Sequence, residues 1–124
     1  MNATDLHEEL IICRIEWNEL GNTLDRTEEK IFDHLRNGEK ERVVKHFHYL
    51  LDIENKMRPL RNNLMYVYEN LAQTSQEKGK QHEVVHFKEK ANEFYKNSYK
   101  RNERSLKLIG ILNRNGIDVQ KYLS

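Results

Sequence analysis

The sequence is poor in residues that break helices or crosslink chains. Among its 124 residues are one proline, five glycines and one cysteine. This scarcity excludes collagen-like, Pro/Gly-rich disordered and disulfide-framework proteins. An all-β sandwich is disfavoured, because it needs turn residues about every 8–12 positions. The remaining expectation is a helical protein.

The sequence also lacks a charge imbalance and a long apolar run. Its 21 basic and 20 acidic residues give a net charge of +1, so no global field would draw it to nucleic acid or to an anionic membrane. No basic n-region or span-length apolar segment is present, which predicts neither a signal peptide nor a transmembrane helix. The lone Cys13 cannot form an intramolecular disulfide. Together these features predict a cytoplasmic protein.

Apolar residues recur at helical spacing almost throughout, which predicts a single helical domain over residues 1–124. A heptad step runs through Leu10, Trp17, Leu24 and Ile31. Further stripes, that is, runs of apolar residues at helical spacing, are centred on Phe47, Leu64, Phe87 and Leu112. Helix stops are expected at the glycines that follow these stripes, Gly38, Gly79 and Gly116, because glycine tolerates the left-handed conformation at a helix end.

Two junctions leave the number of helices open. Gly21 could end one helix, with Thr23 or Thr27 capping the next, and Pro59 could kink or end another. If both junctions are continuous, the fold is an all-α antiparallel bundle of three long helices, which the heptad phase favours. If they are broken, five or six helices stack as hairpins. Asp118 is a candidate cap for a last short helix ending near Leu123.

The second half of the chain resembles a tetratricopeptide repeat. Tyr68, Leu71, Ala72, Gly79 and Ala91 stand where that repeat has an aromatic residue, leucine, a small residue, glycine and alanine. The segment beginning at Gly38 is similar to the one beginning at Gly79, since each has a Val-Val pair five residues after its glycine. The resemblance implies helical hairpins that bind other proteins.

The first half is weakly similar to the N-terminal helices of Rap-type regulators of bacterial response regulators. The similarity rests on residues 17–20 (WNEL) and 39–52 (EKERVVKHFHYLLD). It implies binding to a bacterial regulatory protein. No phosphatase residues are carried over from that family.

One motif points to a different class of function. Residues 82–86 read His-Glu-Val-Val-His, which matches H-E-x-x-H. On a helix, His82 and His86 would project to one side at zinc spacing, with Glu83 as general base. Glu103, His46 and His48 are candidates for a third ligand. The alternative function is therefore a small zinc-dependent hydrolase, although lysines crowd the motif and solvated histidines are the favoured interpretation.

Tyrosines provide the candidate binding surface. Tyr66, Tyr68, Tyr95 and Tyr99 could line a groove for a partner. The last two are interleaved with a basic stretch formed by Lys96, Lys100, Arg101, Arg104 and Lys107. Nucleic-acid binding there is a third hypothesis, which the acidic neighbours Glu93 and Glu103 disfavour.

These observations favour a non-enzymatic function without a cofactor. We expect a small cytoplasmic protein-interaction module, an adaptor or inhibitor of a regulatory protein, of bacterial, phage or mobile-element origin. The predicted partner is another protein. A homodimer is also expected, because long amphipathic helices in a small chain often need a second layer.

Overall fold

The computed structural model describes residues 3–119 and contains three long helices. Helix α1 spans Ala3–Arg36, α2 spans Lys40–Glu77 and α3 spans Gln81–Arg114. At about 1.5 Å per residue, each is roughly 50–57 Å long. The predicted all-α bundle of three long helices is confirmed, and the alternative of five or six shorter helices is wrong for the described part of the chain.

Each helix ends at a predicted glycine. Gly38, Gly79 and Gly116 have φ angles of 70°, 71° and 77°. The amide after each glycine donates to a carbonyl five residues earlier; for Lys80 the acceptor is Ser75, at 2.9 Å. These are Schellman motifs, in which a left-handed residue lets the last helical carbonyls find donors. The two inner motifs reverse the chain within three residues, so consecutive helices are antiparallel.

Helix α1 runs unbroken past Gly21. The predicted N-caps are wrong, because the Thr23 and Thr27 hydroxyls donate backward to the carbonyls of Glu19 and Thr23, at 2.9 and 2.7 Å. A threonine in mid-helix can satisfy its hydroxyl in this way without ending the helix. The heptad phase across the glycine was therefore the more informative signal.

Helix α2 likewise continues through Pro59. The proline cannot donate to the carbonyl of Asn55, one turn earlier. Both residues are exposed, so water can satisfy that carbonyl. The orientation of the proline toward solvent explains why it does not divide the helix.

Apolar side chains form two core clusters along the bundle. One lies toward the turn at Gly38 and contains Leu24, Ile31, Val43, Phe47, Leu50, Ile53, Met57, Leu108, Leu112, Ile117 and Val119. The other lies toward the turn at Gly79 and contains Leu6, Leu10, Cys13, Leu64, Val67, Tyr68, Leu71 and Ala91. Trp17 packs against both. All three helices contribute to each cluster.

Helix α1 runs parallel to α3. The His7 ring lies 6.2 Å from that of Phe87, Trp17 lies 5.3 Å from Phe94, and Arg104 donates to Glu28 at 2.8 Å. After α3, residues 117–119 return to the first core cluster, where Ile117 and Val119 are buried. Most of the short helix predicted after Asp118 lies outside the described residues.

Candidate functional site

The four predicted binding tyrosines do not share one surface. Tyr66, Tyr95 and Tyr99 are exposed, at 60%, 50% and 58%, whereas Tyr68 is 2% exposed. Tyr68 stacks on Phe94 with ring centroids 5.9 Å apart. It lies in the core because it belongs to the same buried stripe of α2 as its neighbours Leu64 and Leu71.

The structure brings Tyr95 and Tyr99 together on α3. Their hydroxyls lie 3.0 Å apart, and their rings meet edge to face at 5.4 Å. The hydroxyl contact raises the pKa of Tyr99. Leu106 is 69% exposed and lies further along the same helix. Tyr95, Tyr99 and Leu106 lie on one face of α3, with Asn102 between the last two. We call these three residues the α3 stripe.

The region around the α3 stripe is basic. Arg101 pairs with Glu54 on α2 at 3.3 Å, and Arg104 pairs with Glu28 on α1 at 2.8 Å. In the described part of the chain no ion pair involves Lys96, Lys100 or Lys107. These three ammonium groups are free to meet an acidic partner.

The H-E-x-x-H motif lies in the first turns of α3, with both histidines exposed. Glu83 accepts a hydrogen bond of 2.9 Å from the buried Ser75 hydroxyl and lies 3.9 Å from Lys80. The glutamate thus ties the start of α3 to the end of α2. Within residues 3–119, no group of three or more ligand side chains could hold a metal ion.

The predicted third metal ligands lie far from the motif. Glu103 is on the same unbroken helix, 17 positions after His86, which corresponds to about 25 Å along the axis. His46 lies near the opposite end of the bundle, with its ring 4.8 Å from that of His34. The helix continuity that confirms the bundle therefore separates these candidates from His82 and His86. His48 follows His46 on α2 and is remote for the same reason.

We expect Glu83→Ala to lower the free energy of unfolding by about 1–2 kcal/mol. The substitution leaves the buried Ser75 hydroxyl without its carboxylate acceptor. Urea denaturation would measure the loss. Glu89→Ala, at an exposed position of the same helix, should change stability by less than about 0.5 kcal/mol. Equal effects of the two variants would contradict a structural role for Glu83.

A polar layer that the sequence analysis missed separates the two core clusters. Arg61 is only 9% exposed, and the Arg101 and Glu54 side chains are 11% and 18% exposed. The Ser105 hydroxyl donates to Glu54 at 3.1 Å. The guanidinium of Arg61 lies 5.7 Å from the centroid of the Trp17 ring. A signal was available, because Arg61 occupies a position in the apolar stripe between Met57 and Leu64.

This layer opens into a pocket between α2 and α3. The pocket has a volume of about 350 Å³ and is lined by Glu54, Arg58, Arg61, Asn62, Ser98, Arg101, Asn102 and Ser105. Burial lowers the pKa of Arg61, and the positive charges of Arg58 and Arg101 lower it further. The pocket is lined by three arginines and one carboxylate, that of Glu54. A second depression between α2 and α3 is lined by Met65, Glu69, Lys88, Ala91, Asn92 and Tyr95.

These features define an up-down-up three-helix bundle with a basic, partly aromatic face on α3. The chain matches no protein-family model, no curated protein and no solved structure. The resemblances to tetratricopeptide repeats and to Rap-type regulators stay predictions. No helix in the described ranges is both long enough and apolar enough for a bilayer span.

Proposed function

We propose that this protein is a cytoplasmic protein-interaction module whose α3 stripe receives an acidic amphipathic helix of another protein. The observation that supports the proposal is the exposure of Tyr95, Tyr99 and Leu106 at 50%, 58% and 69% on one helix. Large apolar groups at this spacing form the seam on which a second helix packs. From Tyr95 to Leu106 the stripe extends for about 16 Å, or three turns.

Charge favours an acidic occupant. Lys96, Lys100 and Lys107 lie along one side of the stripe without ion pairs among the described residues, and they outnumber the single carboxylate on that side, Glu103. Complementary charge at the rim of an interface accelerates association and suppresses partners of the same sign. Leu106 favours a protein over nucleic acid, because an exposed leucine packs against side chains and offers no stacking surface for a base. The similarity to Rap-type regulators makes a bacterial regulatory protein the first class of partner to test.

The stripe can be tested with a designed helical peptide that carries leucines on one face and glutamates on both flanks. We expect Tyr99→Ala and Leu106→Glu each to weaken its binding at least about tenfold, measured by fluorescence anisotropy, because central aromatic and aliphatic anchors dominate such interfaces. Tyr49→Ala is the matched control, since Tyr49 is a 52% exposed tyrosine on α2.

Two results would contradict this proposal. One is equal binding of a peptide with the same composition in scrambled order. The other is an unchanged affinity of both stripe variants. A single-stranded RNA that binds more tightly than the peptide, with the steep salt dependence of phosphate contacts, would favour the nucleic-acid hypothesis instead.

We also propose a homodimer formed through α1. Ile11, Ile12 and Ile15 are 60%, 63% and 55% exposed on the outer face of that helix. Three exposed aliphatic side chains within two turns form a contiguous apolar patch, and the largest such patch on a protein surface is often functional. The occupant that fits best is a second copy of the same helix, because the patch is complementary to itself.

The self-complementarity follows from the order of residues. In an antiparallel pairing of two α1 helices centred on residue 13, Ile11 of each copy lies opposite Ile15 of the other. Isologous contacts of this kind produce closed two-fold dimers.

We expect the double variant Ile11→Glu/Ile15→Glu to be monomeric in sedimentation velocity, because four carboxylates would then meet in the seam. Val85→Glu is the control, since Val85 is a 50% exposed aliphatic residue on α3; this variant should remain dimeric. A monomeric wild-type protein at every concentration would contradict the dimer, as would a dimer unaffected by the double variant.

A further inference from the structure

We propose that the polar pocket between α2 and α3 binds a phosphate monoester. It lies halfway along the bundle, where the polar layer reaches the surface between the two helices. This inference does not depend on the proposed protein-interaction function, since the ligand can be tested on the isolated chain. It rests on the charge of the pocket, on its arginines that lack an ion pair and on its size.

The pocket has an excess of positive charge. Three guanidinium groups, those of Arg58, Arg61 and Arg101, share it with one carboxylate, that of Glu54. Glu54 is already engaged by Arg101 at 3.3 Å and by Ser105 at 3.1 Å. In the described part of the chain, Arg58 and Arg61 have no ion pair. The formal excess of two charges matches a phosphate monoester, which carries about −1.5 to −2 at neutral pH.

Buried donors in the pocket have no acceptor. The Nε atoms of Arg61 and Arg101 are both inaccessible to solvent and lack a hydrogen-bond partner within the chain. Arg61 is more than nine-tenths buried, and a buried donor left without an acceptor is costly. A guanidinium group offers several donors in one plane, and phosphate oxygens accept from such a fork in pairs. The Nε atoms themselves are covered by protein atoms, so an oxyanion in the pocket would contact the parts of the arginines that line it, Arg58 above all, and would compensate the charge of the two covered guanidinium groups.

Size and composition favour an ester over a small inorganic ion. The volume of about 350 Å³ exceeds what a single oxyanion fills and leaves room for the group that carries the phosphate. Ser98 and Asn102 add neutral hydrogen-bonding groups to the lining. A carboxylate ligand would neutralise only about half of the excess charge. The phosphate could come from a free small molecule or from a phosphorylated side chain of a partner, and both sources present the same group.

The test is isothermal titration calorimetry of the full chain with O-phosphoserine, and with a phosphoserine peptide and its unphosphorylated form. We expect binding of the phosphorylated probes, and at least about a tenfold loss in Arg58→Gln. Arg58 is exposed, so the variant should fold; circular dichroism would verify this. Lys56→Gln removes the same charge from another exposed position of α2 and should bind normally. A peptide that binds much more tightly than O-phosphoserine would identify a protein source.

A second variant reverses the expected change. Glu54→Gln keeps an acceptor for Ser105 but raises the formal excess to three charges, so phosphate binding should become tighter. Binding should also strengthen as pH rises from about 5.5 to 7.5, because the second proton leaves phosphate near pH 6. Equal losses in Arg58→Gln and Lys56→Gln would overturn the proposal by showing general charge attraction. Absence of binding by every phosphorylated probe, or equal binding of glutamate, would overturn it as well.

Discussion

Replacing Glu54 with alanine is expected to lower the free energy of unfolding by about 2–3 kcal/mol, because the partly buried Arg101 and Ser105 side chains both lose a charged acceptor. Glu54 is the only carboxylate that lines the polar pocket in the described part of the chain. Without it, Arg61 and Arg101 would be two poorly solvated positive charges close to each other. The Ser105 hydroxyl would lose its acceptor at the same time.

Urea denaturation followed by circular dichroism would measure this loss. Asp52→Ala is the matched control, because Asp52 is an exposed carboxylate on the same helix, and its effect should stay below about 0.5 kcal/mol. The double variant Glu54→Leu/Arg101→Met removes both members of the pair and should lose less stability than Glu54→Ala. A Glu54→Ala protein as stable as the Asp52→Ala control would show that the ion pair does not stabilise the bundle.

Replacing Phe47 with alanine is expected to lower the free energy of unfolding by about 4 kcal/mol. Phe47 is 1% exposed and is one of the largest side chains in the core. Its removal would leave a cavity in the core cluster nearer the Gly38 turn, in which all three helices meet. Long helices with short connections offer little freedom to close such a cavity.

Tyr49 supplies the control for this substitution. It lies two positions from Phe47 on the same helix and is 52% exposed, so Tyr49→Ala removes an aromatic ring from solvent rather than from the core. Its effect on stability should be within about 0.5 kcal/mol. A loss below about 2 kcal/mol for Phe47→Ala would contradict the packing described for this cluster.

The fold could be predicted because its signals are local. The spacing of apolar residues along one helix, and glycine where the backbone must turn left-handed, are properties of short stretches of chain. Gly38 and Gly79 were identified from this signal. Thr23 and Pro59 were harder to interpret, because a mid-helix threonine can bond backward and an outward-facing proline can be tolerated. Those outcomes depend on which side of the helix faces water.

The polar layer could not be predicted in the same way. The pairing of Glu54 with Arg101 joins two helices, and the distance between them in the sequence carries no information on their contact. Arg61 interrupts an apolar stripe, which is visible in the sequence, but only the packed bundle shows that this arginine is covered by Trp17. Tyr68 illustrates the converse error. The sequence analysis placed it on a binding surface because it is a tyrosine, but its position in the apolar stripe of α2 puts it in the core.

The polar layer also has a consequence for how α2 and α3 align. Two amphipathic helices can slide past each other by a turn, about 5.4 Å, and still match leucine with leucine. Here such a slip would separate Glu54 from Arg101 and push charged groups against the aliphatic side chains of a neighbouring layer. We therefore expect the charged groups to penalise misaligned bundles more than the aliphatic residues do. On this expectation, the polar layer favours one alignment of α2 and α3 over others that aliphatic contacts alone would leave nearly equal in energy.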